Sequence, residues 1–89
     1  MTQYYALVQL GGPVYGIGTT ERDAFENALP WLDKGTTEDD IFDGPLSQAV
    51  DGQLVIVECS QKLAKTVQAD GGDQVTDWDG DILVMAIEL

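Results

Sequence analysis

Residues 4–17 read Tyr4-Tyr5-Ala6-Leu7-Val8-Gln9-Leu10-Gly11-Gly12-Pro13-Val14-Tyr15-Gly16-Ile17. Two runs of aromatic and aliphatic residues are split by Gly11-Gly12-Pro13, a combination that turns a chain and cannot continue a strand ladder. The stretch predicts a β-hairpin. Its turn is Gly11-Gly12, and the returning strand begins at Pro13 or Val14.

The pattern changes just beyond it. Thr20 is a good helix N-cap, Asp23 supplies a capping-box acid three residues on, and Glu21 suits the first turn. Ala24, Phe25, Ala28, Leu29 and Leu32 then draw one apolar stripe at helical spacing. Pro30 kinks or ends this helix near Leu29, and Trp31 and Leu32 form a last turn closed by Gly35. Residues 36–52 read as an exposed acidic loop with a short helical turn over Leu46 to Val50. Gln53 to Cys59 is almost continuously apolar, as a central strand is. Ser60 caps a second helix whose Leu63, Ala64 and Val67 face the core and which Gly71-Gly72 ends. Two last strands, Gln74 to Trp78 and Asp81 to Ile87, flank an Asp79-Gly80 turn. The order is ββαβαββ. Residues 1–89 therefore predict a single α+β domain, a small sandwich of a mainly antiparallel sheet with both helices on one face.

Composition narrows the function. Sixteen Asp and Glu stand against four Lys and Arg, with no histidine, for a formal net charge of −12. Such a surface repels nucleic acid and anionic membranes and attracts basic partners. Without histidine, a Ser/His or Cys/His nucleophilic arrangement cannot exist within the chain, and no spacing singles out a carboxylate pair. The sequence thus reads as non-enzymatic and free of cofactors. The one thiol, Cys59, ends an apolar run and reads as a buried strand cysteine. No stretch approaches the roughly 18 apolar residues of a membrane span, and the first residues lack the features of a signal peptide. The default location is cytoplasmic.

Three motifs resolve into bland readings. Asp77-Trp78-Asp79-Gly80-Asp81 has carboxylates spaced like a calcium loop, but Ile82 stands where an EF-hand requires glycine. Gly16-Ile17-Gly18 before a helix has the look of a phosphate loop, yet the third glycine and the lysine are missing. Close packing of strand on helix accounts for these glycines better. Lys62 and Lys65 form the one basic patch and read as an exposed helix face.

The acids themselves are clustered. Eleven of the sixteen lie in or beside two segments: Asp33, Glu38, Asp39, Asp40, Asp43 and Asp51 in one, Asp70, Asp73, Asp77, Asp79 and Asp81 in the other. Clustered carboxylates can imitate phosphate spacing and occupy a basic groove on a partner. The candidate partner-binding set is therefore Glu38, Asp39, Asp40, Asp43, Asp73, Asp77, Asp79 and Asp81, with Phe42 and Trp78 as apolar anchors.

The N-terminal third also resembles the HicB-like antitoxin domain. The likeness rests on Tyr4-Tyr5-Ala6-Leu7-Val8, on Tyr15-Gly16, and on Thr20 with Asp23-Ala24 and Asn27-Ala28. It covers about residues 4–32 and implies a strand, a returning strand and a helix with a Thr-x-x-acid-Ala-x-x-Asn-Ala rhythm. It further implies a partner: a small basic RNA-cleaving toxin whose active surface is covered. The sequence departs from the family in two respects. The stretch before the helix is too short for the usual third strand with its Pro-Gly turn, and no DNA-binding domain follows.

Together these readings describe an acidic protein that blocks a basic, nucleic-acid-handling protein without binding nucleic acid itself. Antitoxin, anti-restriction and anti-CRISPR proteins are versions of it, and nucleic-acid mimicry is its extreme form. The competing expectation is a structural or self-associating domain whose acidity serves solubility or a high-salt habitat. Such a domain would form a homodimer through the C-terminal strand, Ile82 to Leu89, if that strand lies at a sheet edge.

Overall fold

The structure is a computed structural model that describes residues 3–89. Its elements run β1 (Tyr4–Gln9), β2 (Val14–Gly18), α1 (Glu21–Ala28), β3 (Leu54–Cys59), α2 (Gln61–Asp70), β4 (Thr76–Asp79) and β5 (Ile82–Met85). Short 3-10 turns fall at Leu29–Trp31, Glu38–Asp40, Leu46–Gln48 and Ala86–Glu88. The five strands form one sheet in the order β2-β1-β3-β5-β4. Every neighbouring pair is antiparallel except β3 with β5. This is the α+β domain with a mainly antiparallel sheet that the sequence predicts.

Local chemistry sets the elements. The first hairpin turns where Gly12 N–H donates to Gln9 O at 2.8 Å, with Gly11 in the left-handed region at φ +79°. Thr20 caps α1 by accepting from Asp23 N–H at 3.1 Å, and Ser60 caps α2 by accepting from Leu63 N–H at 3.1 Å. Asp23 does not complete a reciprocal box, since its carboxylate takes the Thr19 hydroxyl at 3.5 Å instead. The second hairpin is offset by one residue from expectation. Asp79 pairs with Ile82, so Gly80-Asp81 form the turn, and Gly80 carries the positive φ of +64°.

The helices depart from the expected arrangement, in which both lay on one face. Side chains alternate along a strand, so Ala6 and Val8 point to one side of β1 and Leu7 to the other. Ala6, Val8, Val55, Val57 and Cys59 pack with Leu63 and Ala64 of α2. Leu7 packs with Phe25 and Ala28 of α1, joined by Leu54 and Ile56. One helix therefore covers each face. The reason lies in β1 and β3, which are apolar on both sides; a strand with two apolar faces needs cover on both.

α1 lies unusually close to the sheet. A Cβ on Gly16 would stand 2.4 Å from Ala24 O and 2.6 Å from Ala28 N, and one on Gly18 would stand 2.5 Å from Ala24 N. These glycines serve close packing, as their sequence context suggests.

The C-terminal strand also differs from expectation. β5 ends at Met85 and lies between β3 and β4, joined to β3 at Leu83, so it is not an outer strand of the sheet. The outer strands are β2 and β4. On β2, Val14 N–H donates to Gly72 O at 3.0 Å and Ile17 N–H to Asn27 Oδ1 at 3.1 Å. On β4, Trp78 N–H donates to Asp77 Oδ1 at 2.7 Å. No helix among the described residues is long and apolar enough to cross a membrane.

Candidate functional site: an acidic sheet face

The segment between α1 and β3 is less of a free loop than its composition suggests. Thr37 N–H donates to Asp40 Oδ2 at 2.8 Å, which fixes the turn Glu38–Asp40. Ile41 then bridges to Leu54, and Phe42 N–H donates to Leu54 O at 2.9 Å. The segment thus acts as a short extra strand beside the start of β3. β5 joins β3 only at its far end, where Cys59 pairs with Leu83.

Between these two attachments the middle of β3 looks out on two adjoining clefts. One, of about 330 Å³, is lined by Glu21, Arg22, Phe25, Glu38, Phe42 and Asp43 among others. The next, of about 270 Å³, is lined by Phe42, Gly44, Leu46, Glu58 and Asp81 among others. Phe42 and Ile56 belong to both. The floor is apolar and the rim is carboxylate.

The second cleft, lined also by Val55 and Val57, opens at the gap between β3 and β5. Strand pleating places further acids on the α1 side, where the first cleft lies. Glu58 pairs with Tyr5, one position from Leu7 and Ile56, and so lies on the α1 face of the sheet. Asp77 and Asp79 stand opposite Val84 and Ile82, on the face away from Leu83 and hence on the α1 side. The face as a whole carries Glu21, Glu38, Asp43, Glu58, Asp77, Asp79 and Asp81. Among the residues that line the clefts, the one cation, Arg22, is paired internally. Arg22 Nε lies 3.1 Å from Glu26 Oε1 and Arg22 Nη1 lies 3.2 Å from Glu38 Oε1.

The expected site residues therefore separate. Glu38, Phe42, Asp43 and Asp81 come together around the clefts, with Asp77 and Asp79 on the same face. Asp39 is exposed but lines neither cleft. Asp40 is committed to its own turn. Asp73 lies away from this face, beside the start of β2. Both apolar anchors are half-buried against the core, Phe42 over Gly44 and Trp78 opposite Leu83, so neither projects. Glu58 escapes a sequence reading because it sits in an apolar run. Its signal is that it is the one charge between Leu54 and Cys59.

The remaining reactive group is held inert. Cys59 is 5 % exposed, and burial, with Glu58 and Glu88 nearby, pushes its thiol from an ordinary value of 9.0 up to about 12. Glu88 meanwhile accepts from Ser60 Oγ at 2.7 Å and Met85 N–H at 2.6 Å, tying the C-terminal turn to the cap of α2. Among the described residues, no three or more Cys, Asp or Glu gather as metal ligands would. Compared with protein-family models, curated proteins and solved structures, the chain matches none.

Proposed function

We propose that this chain is a non-catalytic, cytoplasmic binding protein whose acidic sheet face covers the nucleic-acid-binding surface of a basic protein. The observation that supports this is the ring of Glu38, Asp43, Glu58 and Asp81 around the apolar Phe42–Ile56 floor, with Arg22 already paired. A basic groove evolved for phosphates meets carboxylates at the rim and gains apolar contact at the centre. Displacement of its counterions and long-range attraction drive the encounter. The same charge opposes direct binding to nucleic acid. An antitoxin, an anti-restriction protein and an anti-CRISPR protein are all versions of this reading.

The experiment is capture from the source lysate by tagged protein at low salt, followed by a salt gradient. One basic, nucleic-acid-handling protein released as salt rises is the expected result. With that partner in hand, the triple variant Asp43→Asn, Asp79→Asn, Asp81→Asn neutralises three exposed acids of the face and leaves Asp40 to cap its turn. It lowers the association rate about tenfold at low salt and changes dissociation little, since rim charges act on encounter. An unchanged association rate in the folded variant removes this face from the interface.

A second reading has one observation in its favour. Val75 and Ile87 are 77 % and 74 % exposed, and Ala86 N–H donates to Val75 O at 3.0 Å, which draws the two segments together. A self-associating domain would use such a patch. A stable dimer by light scattering with no basic ligand present supports it over the blocking role.

A further inference from the structure

A groove larger than either cleft lies away from the acidic face, along the start of β2. It has a volume of about 620 Å³ and is lined by Val14, Tyr15, Asn27, Trp31, Val67 and Asp73, among others. The two helices reach it from opposite faces of the sheet, each with its C-terminal end. Asn27 is in the last turn of α1, Trp31 follows in the 3-10 turn, and Val67 is in the last turn of α2.

Four features define what fits there. Trp31 is 73 % exposed, a large aromatic ring that the core does not use. Helix C-termini carry partial negative charge on their last carbonyls, and neither α1 nor α2 has a basic residue in its last turn to offset it. Asp73 is the one ionisable acid or base in the lining apart from the Tyr15 phenol, and it is negative. Finally, β2 does not offer its edge as a template for an incoming strand. Gly72 occupies the Val14 amide and Asn27 the Ile17 amide.

We infer that this groove receives an arginine side chain from a basic protein partner, its guanidinium stacked on Trp31 and facing Asp73 and the α2 terminus. This rests on the reading of the partner as basic. A flat, weakly hydrated cation with several donors matches an aromatic wall beside carbonyls and a carboxylate. A lysine ammonium is more strongly hydrated and cannot stack. The occupant anchors the partner at a point separate from the acidic face.

The test uses the isolated, full-length protein and N-acetyl-arginine amide, followed by amide and indole NMR shifts. The controls are the neutral isostere N-acetyl-citrulline amide and N-acetyl-lysine amide. Saturable shifts confined to Trp31, Asn27 and the residues around Asp73 are expected, with both controls at least about tenfold weaker. Trp31→Ala and Asp73→Asn, both changes at exposed positions, each weaken the arginine compound several-fold while the rest of the spectrum stays native. Equal binding of the citrulline or lysine compound overturns the inference, as do shifts centred on the acidic face or none up to about 100 mM. The outcome is separable from the blocking role. Binding of arginine amide without any basic partner in the lysate leaves the groove and removes the reading; a captured basic protein without arginine binding does the reverse.

Discussion

Gly16→Ala tests the close seating of α1 on the sheet. The added Cβ would meet Ala24 O at 2.4 Å, Ala28 N at 2.6 Å and Ala28 Cβ at 2.7 Å, where ordinary contact begins at 3.4 Å. Two of these three atoms are helix backbone, so no rotamer change relieves the overlap. α1 must withdraw by about 1 Å, and at interior packing density a gap of that size forfeits a quarter to a half of the contact energy across it. The helix contributes Ala24, Phe25 and Ala28 to the core. A cost of about 3 kcal/mol follows, at the upper end for overpacking. Against a total of about 4–13 kcal/mol for a chain of this length, that is a large fraction. Thermal unfolding followed by circular dichroism should show the midpoint lowered by about 12–24 °C. Gly52→Ala is the control. Gly52 has φ +92° but nothing within 4 Å, so only backbone strain of about 1–2 kcal/mol applies. A second change, Ala28→Gly in the Gly16→Ala background, should rescue little, because the backbone atoms remain. A Gly16→Ala melt within about 3 °C of the parent, or full rescue by Ala28→Gly, refutes the reasoning.

Two further outcomes concern the junction of β3 and α2. The thiol of Cys59 ionises near 9.0 when unfolded and at about 12 when folded. Its contribution to stability is therefore complete below pH 9 and is lost as the pH rises toward 12, by at most about 1.4 kcal/mol per pH unit. Urea titrations at several alkaline pH values should show this slope, and Cys59→Val should flatten it. Ser60→Ala removes the hydroxyl oxygen that accepts from Leu63 N–H and the hydroxyl proton donated to Glu88. A loss of about 1–2 kcal/mol is expected, with faster hydrogen exchange in the first turn of α2 and in Met85. Unchanged exchange at Met85 would separate the C-terminal turn from the cap.

Much of the fold is legible in single residues. Thr20 and Ser60 announce the helix starts, Gly11 the first turn, which centres on Leu10-Gly11 one residue before the expected pair, and Gly80 the second. The placement of the helices is not, because each helix shows one stripe and neither says which side of a sheet it meets. That information sits in the strands. Leu7 and Ile56, opposite in pleat to Ala6, Val8, Val55 and Val57, require a second covered face. The candidate site was legible only as composition. The acids of residues 38–43 and 77–81 lie far apart in sequence, and pleating together with the Ile41–Leu54 bridge brings members of both segments to one side. Glu58 and Asn27 needed the structure. The first is masked by an apolar strand, and the second lies on an exposed helix face that gives no sign of its bond to Ile17.

The occupied amides at both outer strands have a consequence for life at high concentration. Fibrils grow when an unpaired rim accepts another chain and passes on an identical rim. Here Gly72 and Asn27 obstruct that step on one side, and Asp77 on the other. Growth of a backbone ladder is thus opposed at Val14, Ile17 and Trp78 of the outer strands.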